Sequence, residues 1–113
     1  MEIHYTKLNN GIRLIKLSGT LDIIGTGAIE TKFAGYCSGE NPRVAVDFSE
    51  VDFLASIGIR LLMLTAKSIV SRGGKMTIIN PIPDVQSVLE ITGIPVIIPI
   101  YSQLDSAEAV LLA

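Results

Sequence analysis

The chain has 113 residues, of which 49% are hydrophobic and 18% charged, with a formal net charge of -2. That length suits one domain with one core, residues 1–113, and the composition is too apolar for a disordered chain. An acidic balance without a Lys/Arg cluster, and the absence of tryptophan, argue against a nucleic-acid partner.

Cys37 is the only cysteine. No internal disulfide is possible, and a reducing compartment is the natural expectation. Residues 1–8 alternate apolar and polar side chains, which is not the pattern of a secretory signal. No apolar run reaches the length of a membrane span. The expectation is a cytoplasmic protein without a membrane partner.

Ile3, Tyr5 and Leu8 mark a first strand, and Asn9-Asn10-Gly11 is a strong turn signal. Ile12 to Leu17 reads as the returning strand, with Ile12 and Leu14 on one face. Ile3–Leu17 is thus expected to be a β-hairpin. Ser18 to Asp22 breaks the pattern. Ile29, Phe33, Tyr36 and Cys37 then share one face of a helix, which Gly39 and Pro42 stop. Arg43 to Phe48 is a short apolar run of the buried-strand kind. Ile57 to Ser71 forms the next helix, ended by Gly73-Gly74. Lys75 to Ile79 is another strand. Asn80 to Asp84 supplies a turn and a helix start, Val85, Val88 and Leu89 form the stripe, and Gly93 ends it. Pro95 to Ile100 is expected to be a last strand near an edge. Ser102 and Asp105 have the spacing of a capping box for a final helix.

The order is ββ followed by αβαβαβα. Such alternation favours parallel pairing, and the opening hairpin adds an antiparallel part. The fold class is therefore α/β with a mixed sheet.

The informative stretch runs from Val44 to Leu62. A buried strand leads through a short connection to Ser56, where a helix begins. Serine at an N-cap bonds the free amides of the first turn, worth about 1 kcal/mol. Those amides and the helix dipole also favour an added phosphate. Gly58 keeps the first turn small and would let a partner approach the hydroxyl. Most N-cap serines only cap, so position alone permits a switch without selecting one.

Taken together, several segments resemble the anti-sigma-factor antagonists of the STAS family. They are Gly19-Thr20-Leu21-Asp22, the Val-Asp-Phe-Ser strand at Val46–Ser49, the Ser-Ile-Gly-Ile-Arg-Leu-Leu helix start at Ser56–Leu62, and Gly-Gly-Lys-Met-Thr-Ile-Ile-Asn at Gly73–Asn80. The resemblance implies a partner switch without enzymatic activity or cofactor. In such families the anti-sigma factor is also a serine kinase, phosphorylation of the serine breaks its complex with the antagonist, and a serine phosphatase restores it. The resemblance makes Ser56 the phosphoacceptor and Asp22 the acidic residue near it. Thr20, Asp22, Ile57, Gly58, Ile59 and Leu61 are then the expected partner contacts. Ala55 stands where the family often has Asp, and Ile57 where it often has a second Ser or Thr.

The helix after Ser56 is too apolar for one buried face. Ile59, Leu62, Met63 and Ala66 fit the core stripe. Ile57, Leu61 and Leu64 fall outside it and are available to a partner, although ordinary packing is the commoner use of such residues.

Other signals are weaker. His4 is the only histidine and is expected to be solvated on its strand, so no metal-ligand spacing exists. Cys37 lies on an apolar stripe and reads as a core residue. Gly25-Thr26-Gly27 lacks the rest of a dinucleotide fingerprint. Arg72-Gly73-Gly74-Lys75 reads as a helix end entering a strand. Asp22, Asp47 and Asp52 could form a phosphoryl-transfer pocket, but no basic partner accompanies them. The competing functions are a STAS interaction subunit of a sensory complex and, last, a small phosphoryl-transfer enzyme. A monomer is the simplest expectation.

Overall fold

The computed structural model describes all 113 residues. Its elements are β1 (Glu2–Lys7), β2 (Arg13–Leu21), α1 (Ile23–Tyr36), β3 (Arg43–Leu54), α2 (Ser56–Ser71), β4 (Lys75–Ile79), α3 (Pro83–Ile91), α4 (Ile94–Ile97), β5 (Ile100–Tyr101) and α5 (Leu104–Leu111). The strands form one sheet in the order β1-β2-β3-β4-β5. The β1–β2 pair is antiparallel and the other three pairs are parallel. The mixed α/β sheet begun by a hairpin is therefore present. No helix is long and apolar enough to cross a membrane.

The hairpin turn works as its residues dictate. Gly11 takes φ +88°, a left-handed conformation that costs glycine little, and the Asn10 side chain accepts the Ile12 amide at 3.1 Å. Ile12 and Leu14 do share a face. They join Ala45, Ile79, Ala107 and Leu111 in a small core beneath α5. The opposite sheet face carries the larger core, where Ile15, Leu17, Val44, Val46 and Ile78 meet Ile29, Phe33, Leu62, Ile69 and Leu89 from the helices. Neighbours such as Val44, Ala45 and Val46 alternate between the two cores because side chains alternate across a strand. Each fully buried Ile, Leu or Phe contributes about 1.5–3 kcal/mol relative to exposure.

Four boundaries differ from the sequence expectation. β2 does not stop at Leu17 but runs to Leu21, and β3 runs past Phe48 to Leu54. Parallel pairing between them overrides the polar residues Ser18, Ser49, Glu50 and Asp52. Two register shifts, between Lys16 and Ser18 and between Gly19 and Thr20, absorb extra residues of β3. The expected strand from Pro95 is instead a one-turn helix, α4. Gly93 at φ +80° resets the chain, and Pro95 sits in the first turn, where its missing N–H costs nothing. Only Ile100 and Tyr101 pair with β4, at the sheet edge. The Ser102–Asp105 capping box does not form, because Gln103 is the N-cap of α5 and no side chain caps it.

Candidate functional site

The two longest strands end side by side. Leu21 of β2 pairs with Leu54 of β3, and the Ala55 amide donates to the Leu21 carbonyl at 3.0 Å. One residue later each chain segment becomes a helix, so the N-termini of α1 and α2 sit together at this edge of the sheet. The α1 terminus is closed, since Asp22 is its N-cap and accepts the Gly25 amide at 2.7 Å. The α2 terminus is open. Its N-cap is Ala55, and no side chain bonds the first-turn amides.

Ser56 is thus the first residue of α2, not its N-cap as expected, because the extended backbone of β3 continues one residue further, through Ala55. Its side chain is exposed and enters no intramolecular hydrogen bond. The capping role that would have explained this serine is absent. Unsatisfied amides at a helix start, with no acidic residue in the first turn, favour an anion.

Gly58 and Ile59 are buried, and this corrects their expected place among the partner contacts. A Cβ on Gly58 would stand 2.9 Å from Leu54 Cδ1 and 3.0 Å from Leu21 Cβ. The missing side chain lets α2 cross the ends of β2 and β3 closely. It faces inward and opens no path to the Ser56 hydroxyl. Gly25 does the same for α1, where a Cβ would collide with the Thr20 carbonyl.

The remaining expected contacts are at least partly exposed. Ile57 is exposed, while Asp22, Leu61 and Thr20 are half-buried. The Thr20 hydroxyl donates to Asp52 Oδ1 at 2.8 Å. Three further residues went unrecognised in the sequence. Ile23 is 75% exposed, Ile24 83% and Phe53 55%. Ile23 and Ile24 could have been found, since neither lies on the Ile29–Phe33–Cys37 stripe of α1. Phe53 could not, because the Gly19/Thr20 register shift decides which way it points. The exposed Ile23, Ile24, Phe53 and Ile57, with Asp22 and Asp52, thus all belong to the segments that leave this edge of the sheet with Ser56.

The groups discounted from sequence are accounted for. Asp47 accepts the Ser49 amide at 2.9 Å, so the three aspartates each serve a local bond rather than a shared pocket. Nowhere do three His, Cys, Asp or Glu residues converge on a metal-sized site. His4 is solvated, 3.5 Å from Glu2. Cys37 is in the core, and burial pushes its thiol up to about 11 despite nearby Arg13 and Arg72. Arg72 ends α2, and its guanidinium donates to the carbonyls of Cys37 and Gly39, tying the ends of α1 and α2 together.

Comparison with known proteins gives a consistent result. The family model described as STAS domain matches residues 5–107. BtrV of Bordetella bronchiseptica, provisionally named an anti-sigma factor antagonist, is 26% identical over 100 residues, covering 88% of this chain and 86% of its own. A STAS domain protein of Planctomyces limnophilus, described as an anti-sigma-factor antagonist, superposes with a TM-score of 0.86 at 22% identity, covering 98% of both chains. SpoIIAA of Bacillus has been solved in its phosphorylated form. That structure superposes with a TM-score of 0.69 at 17% identity, covering 96% of this chain and 99% of its own.

Proposed function

The chain belongs to the STAS domain family, and we propose that it is an anti-sigma-factor antagonist whose binding is switched by phosphorylation of Ser56. One observation carries this reading. Ser56 is exposed, unbonded and at an uncapped helix start, at the sheet edge whose flanking segments carry the exposed Ile23, Ile24, Phe53 and Ile57. A serine with no structural duty at such a place is free to be modified. The names of relatives such as BtrV, and the phosphorylated form of SpoIIAA, support the same reading.

The partner is an anti-sigma factor that doubles as a serine kinase, and a serine phosphatase resets the switch. The chain itself is a binding protein that works in the cytoplasm. The unphosphorylated surface buries Ile23, Ile24, Phe53 and Ile57 against the kinase. A phosphate adds roughly -1.5 to -2 charges at neutral pH. At this edge it meets Asp22 and Asp52, and the interface would have to desolvate it. A penalty of about 3 kcal/mol weakens binding more than a hundredfold without any change of fold.

The test is incubation of the chain with its anti-sigma-factor kinase and ATP, followed by site mapping with mass spectrometry. Wild type gains one phosphate on Ser56. Ser56→Ala binds the kinase and gains none. Full phosphorylation of Ser56→Ala would refute the assignment.

A further inference from the structure

The helices are divided unevenly between the two faces of the sheet. Residues of α1, α2, α3 and α4 share the larger core, which holds 21 buried residues, whereas α5 alone covers the other face over a core of 5. Within α5 only Ala107 and Leu111 are buried, against Ile12, Ala45 and Ile79. A helix of eight residues does not hold itself in water and depends on what it packs against. Its first turn adds little, since Gln103 is the N-cap and no side chain bonds the free amides.

Two side chains of β4 act on this helix in opposite directions. Lys75 opens the strand, and its Nζ donates to the Val110 carbonyl at 3.2 Å and to the Ala113 carbonyl at 3.0 Å. A cation there meets the unpaired carbonyls and the negative end of the helix dipole. Lys75 thus ties the last turn of α5 to the sheet. Thr77 works against closure. It is in register with Ala45 and so points to the same face, beneath α5. Thr77 is 0% exposed, yet its Oγ1 has no hydrogen-bond partner. A buried hydroxyl left unpaired is a standing cost of the closed state, and water relieves it on opening.

We propose that α5 is a latched lid on the back of the sheet. It lifts as a unit while the rest of the fold stays intact, with Lys75 as the latch and the dry Thr77 hydroxyl favouring release. Elements with few buried apolar residues are those that open below the free energy of global unfolding. Lifting α5 bares Ile12, Ala45, Thr77 and Ile79 together. This face lies across the sheet from α2, so the lid is independent of the reading of Ser56.

The experiment is amide hydrogen exchange of the purified full chain, followed residue by residue by NMR. In wild type the hydrogen-bonded amides of α5 are expected to share one protection factor, at least about tenfold below those of β3. Lys75→Met keeps the aliphatic stem but removes the two bonds, and is expected to lower α5 protection about tenfold. Thr77→Cys reads the face beneath the lid. At pH 8 the thiol at position 77 is expected to react with a thiol reagent at least about tenfold faster than Cys37, although both positions are buried in the closed chain. Equal protection of α5 and β3 means that the helix opens only with the whole chain, and overturns the proposal. Protection that declines steadily toward Leu111 is ordinary fraying and overturns it too. Unchanged α5 protection in Lys75→Met removes the latch, and equal labelling of the two thiols shows that the face is never bared. Should Lys75→Met unfold, wild-type exchange and the labelling of Thr77→Cys decide between these outcomes.

Discussion

Adding one methyl group at Gly58 tests the packing that presents Ser56. A Cβ there would stand 2.9 Å from Leu54 Cδ1, 3.0 Å from Leu21 Cβ and 3.2 Å from the Leu21 carbonyl oxygen. All three contacts are tighter than ordinary van der Waals packing; the Leu54 methyl can swing away, but the two Leu21 atoms lie at the backbone and yield less easily. Overpacking of this kind costs about 1–3 kcal/mol. Alanine is favoured over glycine inside a helix by about 0.5–1 kcal/mol. The net for Gly58→Ala is a loss of up to about 2.5 kcal/mol, or a fall of as much as roughly 10 °C in melting temperature for a domain of this size. Gly27→Ala and Gly35→Ala are the controls, because both lie in α1 with open space around the added carbon. They receive only the propensity gain and are expected to melt slightly higher. Thermal unfolding followed by circular dichroism measures all three. If Gly58→Ala stabilises as the controls do, α2 does not cross Leu21 and Leu54 as closely as described, and the account of how Ser56 is held is wrong.

Further predictions follow from individual side chains. Ser56→Ala should change stability by no more than about 0.5 kcal/mol, since the hydroxyl caps nothing; a loss near 1 kcal/mol in chemical denaturation would show a cap in solution. Asp22→Ala removes the α1 cap and should cost about 0.5–2 kcal/mol in the same assay. Cys37 should resist a thiol reagent at pH 8 in the native state and react fully in denaturant. Its thiol rises from 9.0 to about 11 on folding. The stability this contributes is therefore complete below pH 9 and lost as pH rises through about 11, which a pH series of melts on wild type and Cys37→Ala would detect.

Much of this architecture was legible because short-range chemistry and periodicity agreed. Asn10-Gly11 made the hairpin, the Ile29–Phe33–Cys37 spacing made α1, and Lys75–Ile79 was already an apolar strand. The misses share a cause. Ser18–Leu21 and Ser49–Leu54 became strand only because each pairs with the other, and no local propensity encodes that partner. Pro95–Ile97 looked extended but turned helical after the left-handed Gly93. At the site, sequence located Ser56 but not its backbone state, which depends on where β3 releases the chain. Gly58 was correctly singled out for the wrong reason, since a missing side chain does not reveal which direction it opens. Phe53 was hidden by a register shift.

The most direct measurement of the central claim compares the affinity of the unmodified chain for the proposed anti-sigma-factor kinase with that of the chain stoichiometrically phosphorylated on Ser56. The account predicts that the phosphorylated chain binds at least about a hundredfold more weakly, from a penalty of about 3 kcal/mol, with an unchanged circular dichroism spectrum. Equal affinity of the two forms would contradict it.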